Sequence, residues 1–124
     1  MIHGFGGGGA IFVKMLPYLR HYFTIVCIDM LGMGSSGRPD YDSYTFESAL
    51  EFHLDSIRAW MDRQLVEQKY YLLGHSLGGC ISCHYALKYP KNIEKLILMS
   101  PVGIMETPEH LQRERVHQRL DTCL

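Results

Sequence analysis

Residues Gly74-His75-Ser76-Leu77-Gly78, followed by Gly79, fit the pattern G-x-S-x-G. A strand-like run, Tyr70-Tyr71-Leu72-Leu73, stands directly before it and a helical run directly after. In that setting the serine occupies the tip of a tight strand-to-helix turn, in a strained backbone conformation, with its hydroxyl thrown clear of the sheet. The chain passes close to itself there, so the residues two positions to either side must be small. Gly74 and Gly78 meet that need. The helix that starts at Ser76 aims free N–H groups at the hydroxyl, which favours a developing oxyanion. The chemistry that fits is attack on an acyl carbon, with Ser76 as the catalytic nucleophile. A plain glycine-rich turn is the alternative for the bare pattern, and the flanking strand and helix favour the chemical reading.

A second loop could complete such a site. His3-Gly4-Phe5-Gly6 follows the short strand-like piece Met1-Ile2. In serine hydrolases of this layout that loop gives one oxyanion donor, and the residue after the serine gives the other. The candidate oxyanion hole is therefore the backbone N–H of Phe5 or Gly6 together with that of Leu77. The same glycine run, Gly4 to Gly9, also matches G-x-G-x-x-G, and Asp29 closes the next strand where a ribose-binding acid would stand. A dinucleotide-binding oxidoreductase is thus an alternative. It is weakened by the nearly absent strand before the loop, and by Pro17 inside the following helical stretch. Asp29 also opens a second glycine motif that a nucleotide site does not need.

Cys80-Ile81-Ser82-Cys83-His84 reads C-x-x-C-H, the spacing of covalent haem attachment. It lies inside the helix after Ser76, where cysteines pack as small hydrophobes. His21, His53, His110 and His117 have no mutually supporting metal-ligand spacing. No metal or cofactor is expected.

The elements that must position Ser76 alternate between β-rich and helical runs. Phe23 to Ile28 is apolar on both faces, as in a strand buried within a parallel sheet. Ala10 to Leu19 reads as a helix with Pro17 as a late kink or stop. Residues 29–43 read as a loop. Thr45 caps a helix running to about Val66, with apolar residues at 46, 50, 54, 57, 61 and 65. The helix from Ser76 runs to Lys88 and is stopped by Tyr89-Pro90. Lys95 to Met99 is a third strand, and the tail from Pro108 is a polar helix. Strand–helix–strand alternation of this kind gives an α/β fold with a mostly parallel sheet flanked by helices.

The 124 residues amount to one domain or part of one, able to bury about two thirds of its unfolded surface. With 47% hydrophobic and 20% charged residues, the composition argues against disorder. Twelve basic against thirteen acidic side chains leave a net charge of −1, which excludes nucleic-acid binding through bulk charge. Four cysteines do not make a disulfide framework in so apolar a chain. No apolar run approaches the ~20 residues of a transmembrane helix, and the N-terminus has no signal-peptide pattern. The expected compartment is reducing and cytoplasmic.

Three motifs stand in the order and spacing of the α/β-hydrolase superfamily. They are His3-Gly4-Phe5-Gly6-Gly7, Asp29 to Ser36 with its glycines at 32 and 34, and Gly74 to Gly79. Ser100-Pro101-Val102-Gly103 fits as well. In detail the chain resembles the lipid-handling members that include lysophosphatidic-acid acyltransferase-like proteins and N-acyl-phospholipid lipases. The resemblance implies a serine hydrolase or acyltransferase acting on a carboxylic ester of a lipid, through an acyl-enzyme on Ser76, and allows peripheral contact with a membrane or lipid droplet. Some of those members carry Asn in place of the nucleophile and are non-catalytic regulators, so a non-catalytic lipid- or protein-binding fragment is the other reading. The family's acid and histidine follow later strands that this chain lacks. His75 is adjacent to Ser76, so its side chain is expected to point away around the turn. The resemblance implies an incomplete α/β-hydrolase fold, with 1–107 as its N-terminal part and 108–124 as the start of a lid.

Overall fold

The computed structural model describes residues 1–42, 44–65 and 67–103. Its sheet is parallel. Strand β1, Tyr70–His75, pairs with β2, Ile93–Met99, from Tyr70 opposite Ile93 to His75 opposite Met99. On the other side of β1 the sheet continues through a single residue. Ile2 forms parallel bridges to Gly74 and to Ile28, so the spatial order is 28, 2, β1, β2. The links are Ile2 N–H to Leu73 O at 2.8 Å, His75 N–H to Ile2 O at 3.0 Å, and Ile28 N–H to Met1 O at 3.0 Å.

Residues 23–28 do not form the buried strand that their composition predicts. Only Ile28 enters a bridge, while Phe23 and Val26 remain 47% and 36% exposed. A β run needs a neighbour along its whole length, and Met1-Ile2 offers two residues. Ala10 to Leu19 also differs from one continuous helix. A 3₁₀ turn, Gly9–Phe12, is followed by a short helix α1, Leu16–Leu19. Pro17 stands in the first turn of α1, where its missing N–H costs nothing, and so opens the helix rather than stopping it.

Helix α2, Phe46–Gln64, starts where the capping residue predicts. The Thr45 hydroxyl accepts the N–H of Ser48 at 3.2 Å. Its buried residues are Leu54, Ile57 and Met61, one stripe at spacings of three and four. Helix α3, Leu77–Lys88, buries most of its first two turns. Both helices contribute to one apolar cluster with Ile2, Met30 and Leu72. Lys88 of α3 pairs with Glu51 of α2 at the surface. The helix predicted from Pro108 lies outside the described residues.

Candidate active site

Ser76 lies between β1 and α3 with φ 53° and ψ −119°. An L-residue rarely adopts this backbone conformation, so the surroundings must hold it. They do so through the main chain. Ser76 N–H donates to Met99 O at the end of β2, at 3.0 Å. Ser76 O accepts from Gly79 and Cys80 in the first turn of α3, and from Val102 beyond β2. The turn is thus tied to its own helix and to the neighbouring strand at once.

Its flanking glycines are required by close approach. A Cβ at Gly74 would collide with Gly78 O and with Ser82 Oγ. A Cβ at Gly78 would collide with the carbonyls of Ile2 and His3. Gly79 sits against Pro101, where a Cβ would come within 2.8 Å of the ring. The Pro101-Val102 segment is therefore part of the scaffold of the turn.

The glycine loop comes to the serine. A Cβ at Gly4 would stand 2.9 Å from Ser76 Cβ and 3.4 Å from Ser76 Oγ. Gly4 O accepts Gly7 N–H at 3.1 Å, closing a turn with Phe5 and Gly6 at its tip and Gly6 at φ 66°. Phe5 and Gly6 are thus one and two residues from the contact with Ser76. Leu77 is the first residue of α3, so its N–H has no partner within the helix.

Two side chains that the sequence did not single out for this purpose fix the loop. His3 is fully buried. Met30 N–H donates to its Nε2 at 3.0 Å, so the ring proton sits on Nδ1 and is donated to Gly4 O at 2.7 Å. Asp29 accepts Gly9 N–H at 2.5 Å on one carboxylate oxygen and Ser35 N–H at 2.8 Å on the other. These two backbone hydrogen bonds, Ser35 first, hold its pKa below the usual carboxylate value. Asp29 therefore pins the far end of the glycine loop to the 29–36 loop. With both oxygens engaged within the chain, it does not present the free carboxylate that a ribose would need. The dinucleotide reading loses its acid, and the glycine loop opens a four-residue 3₁₀ turn rather than a long helix.

The His75 ring packs on the glycine loop, with Nδ1 3.3 Å from the place of a Gly4 Cβ and without a hydrogen-bond partner. Among the described residues no histidine hydrogen-bonds Ser76 Oγ. His3 has both ring nitrogens occupied, and His84 packs edge-on against Phe46. Cys80 is buried and Cys83 partly buried, both unbridged, within α3. No group of three or more metal-ligating side chains occurs among the described residues. No described helix is long and apolar enough to cross a membrane.

Residues 1–121 match the family described as alpha/beta hydrolase fold. The chain is 41% identical over 120 residues to abhydrolase domain-containing protein abhd-5.2 of Caenorhabditis elegans, covering 96% of this chain and 27% of that protein. It is 37% identical over 115 residues to the human 1-acylglycerol-3-phosphate O-acyltransferase ABHD5, covering 93% and 32%. Among solved structures it resembles the 2-hydroxy-6-oxo-6-phenylhexa-2,4-dienoate hydrolase of Rhodococcus sp. strain RHA1. There the TM-score is 0.74 at 26% identity, over 90% of this chain and 41% of that one. The chain thus spans about a quarter to a third of the curated relatives it matches.

Proposed function

The chain belongs to the α/β-hydrolase fold family, and from that premise we propose that it carries the nucleophile and oxyanion half of an acyl-transfer site. Ser76 attacks the carbonyl carbon of a carboxylic ester, the ester C–O bond breaks, and the alcohol leaves with a proton. The acyl group then rests on Ser76 Oγ until water or an acceptor alcohol takes it. Leu77 N–H, with that of Phe5 or Gly6, receives the charge that develops on the carbonyl oxygen. The observation that carries this reading is the strained Ser76 with Gly4 packed directly against it. A structural turn gains nothing from holding a serine at φ 53° under a glycine loop.

The names of the relatives support a lipid ester as substrate, with acyl transfer to a lysophospholipid beside hydrolysis. Residues 1–107 are proposed as the N-terminal part of the domain and 108–124 as the start of a lid. The proton acceptor for Ser76 is a separate requirement. The test therefore supplies one: a fluorophosphonate probe is added with and without imidazole, and the adduct is located by peptide mass spectrometry. Imidazole-dependent capture on Ser76, absent in Ser76→Ala, is the expected result. No adduct on Ser76 would favour the non-catalytic binding reading, which the missing hydrogen bond to Ser76 Oγ also admits.

A further inference from the structure

The end of β1 away from Ser76 holds a second feature. Tyr70 opens that strand and Ser76 follows its last residue, so the two stand about 20 Å apart at ~3.3 Å per residue. A cavity of about 270 Å³ lies at the Tyr70 end. All of its lining comes from residues 58–92: the second half of α2, the turn into β1, Tyr85 of α3, and the 3₁₀ turn Pro90–Asn92. Sites for drug-sized molecules run from about 300 to 1,000 Å³, so this one suits a smaller ligand.

Tyr85 is fully buried, and its hydroxyl makes no hydrogen bond among the described residues. The Tyr70 hydroxyl and the Arg58 guanidinium both act electrostatically on that hydroxyl, and all three residues line the cavity. The Tyr85 hydroxyl therefore opens on the cavity. Arg58 is held from two sides. Its Nε donates to Asp62 Oδ2 at 2.8 Å, and its guanidinium lies over the Tyr89 ring, 4.9 Å from the centroid. That fixes the plane of the fork and leaves its two terminal nitrogens for other partners. Burial first, and the neighbouring Tyr85 second, raise the pKa of Tyr70, so its phenol keeps its proton. Lys91 is an exposed cation on the lining and forms no ion pair among the described residues. Two carboxylates also line the cavity, Asp62 and Glu67. The first is offset by Arg58, and the second is exposed to solvent.

We propose that this cavity binds a phosphate group, free or as the monoester of a small alcohol, between Arg58, Tyr70, Tyr85 and Lys91. The inner polar groups cannot satisfy one another. A phenol that accepts from the guanidinium or from its neighbour still has a proton of its own to place. What the group lacks is an acceptor, and an anionic oxygen is the strongest acceptor a buried hydroxyl can be given. A tetrahedral oxyanion can take the Arg58 fork on two oxygens and present the others to the phenols and to Lys91. A carboxylate has two oxygens in one plane, so the fork would occupy it and the phenols would be left over. A cation would meet Arg58 and Lys91 at close range, and an apolar molecule would leave the Tyr85 hydroxyl unpaired. The bound anion would join α2 to the start of β1 and to α3, well away from Ser76.

The test adds sodium phosphate or glycerol 3-phosphate to the 124-residue chain, with sodium chloride and sodium acetate as controls at equal ionic strength. Phosphate is expected to raise Tm saturably and to slow amide exchange at residues 67–70 and 91–92 about fivefold at saturation, with no change at 76–79. Tyr85→Phe keeps the ring in the core and removes only the unpaired hydroxyl. It should match the parent in Tm without phosphate and need about tenfold more phosphate for the same protection. Arg58→Lys keeps the charge and loses the fork, and should also weaken binding about tenfold. Ser76→Ala should bind as the parent does, which separates this site from the proposed acyl-transfer site. Tighter binding of glycerol 3-phosphate would identify a monoester as the occupant, and tighter binding of phosphate the free ion. Equal protection by chloride or acetate would overturn the proposal. So would a Tyr85→Phe chain that responds to phosphate as the parent does, because the hydroxyl would then face no anion. A chain that lacks helical circular dichroism and gains it with phosphate supports the proposal. One that stays unfolded with phosphate overturns it.

Discussion

Replacing Gly78 by Ala tests whether the Ser76 turn is built by contact with the clipped strand. Gly78 lies in the first turn of α3, where Ala would ordinarily stabilise by about 1 kcal/mol. Here the new Cβ would fall 2.5 Å from Ile2 O, 2.8 Å from Ile2 C, and closer still to His3 O. All three are main-chain atoms. Ile2 cannot give way freely, because its N–H is bound to Leu73 O and its carbonyl to His75 N–H. Overpacking of this kind costs about 1–3 kcal/mol or more, and breaking the His75–Ile2 bond adds about 1 kcal/mol. The net expectation is a loss of about 2 kcal/mol, or roughly 10 °C in Tm for a domain of this size. Thermal unfolding followed at 222 nm measures it. Gly37→Ala is the control, because a Cβ there meets nothing within 4 Å. It should leave Tm unchanged or raise it by a few degrees, at about 0.4–1 kcal/mol. A Gly78→Ala chain as stable as the parent would show that α3 does not press on Ile2. The account of how Gly4 is delivered to Ser76 would then fail.

Asp29→Asn should destabilise the chain at pH 7, because an amide cannot accept from both Gly9 and Ser35. The folded pKa of Asp29 lies below its unfolded value, so the ionised carboxylate's contribution is full above about pH 4 and fades as pH falls through the folded value. The gap between parent and variant, read from urea midpoints, should therefore close in acid, and a gap constant from pH 7 to 2 would contradict the pinning role. Thr45→Ala removes the acceptor for Ser48 N–H and should cost about 1 kcal/mol in the same assay, with Thr45→Ser retaining most of it. Hydrolysis of p-nitrophenyl esters by the chain should be slow, since no described histidine takes the Ser76 proton. Fast turnover abolished by Ser76→Ala would reveal a base that the hydrogen bonding does not show.

The elements that position Ser76 were readable because their signals are local. Thr45 starts α2 at its capping position, and Tyr89-Pro90 follows α3. The strained turn followed from one pentapeptide in its strand–helix setting. What the sequence hid was cooperative. Phe23 to Ile28 has the composition of a buried strand, yet pairing is set by the length of its neighbour, which lies twenty residues away. Pro17 looked like a stop because a helix was assumed to begin at Ala10, and the 3₁₀ turn moved the start. His3 and Asp29 were read as a motif letter and a possible ribose ligand. Their work is to hold Gly4 and Gly9, and it becomes visible only when Met30, Ser35 and the glycine loop meet. A histidine beside a flexible glycine run was the available hint, since such a loop needs an anchor to hold one shape.

The two loops of the Ser76 site rest on different supports. Ser76 is held by Met99 O and Val102 N–H on the β2 side, and those bonds do not involve the clipped strand. The glycine loop has the reverse dependence. Gly4 follows two residues after Ile2, so its distance from Ser76 is set by the bridges that fix Ile2 between Ile28 and Gly74. Ile2 is fully buried and carries on its own the register that a full strand would share among several residues.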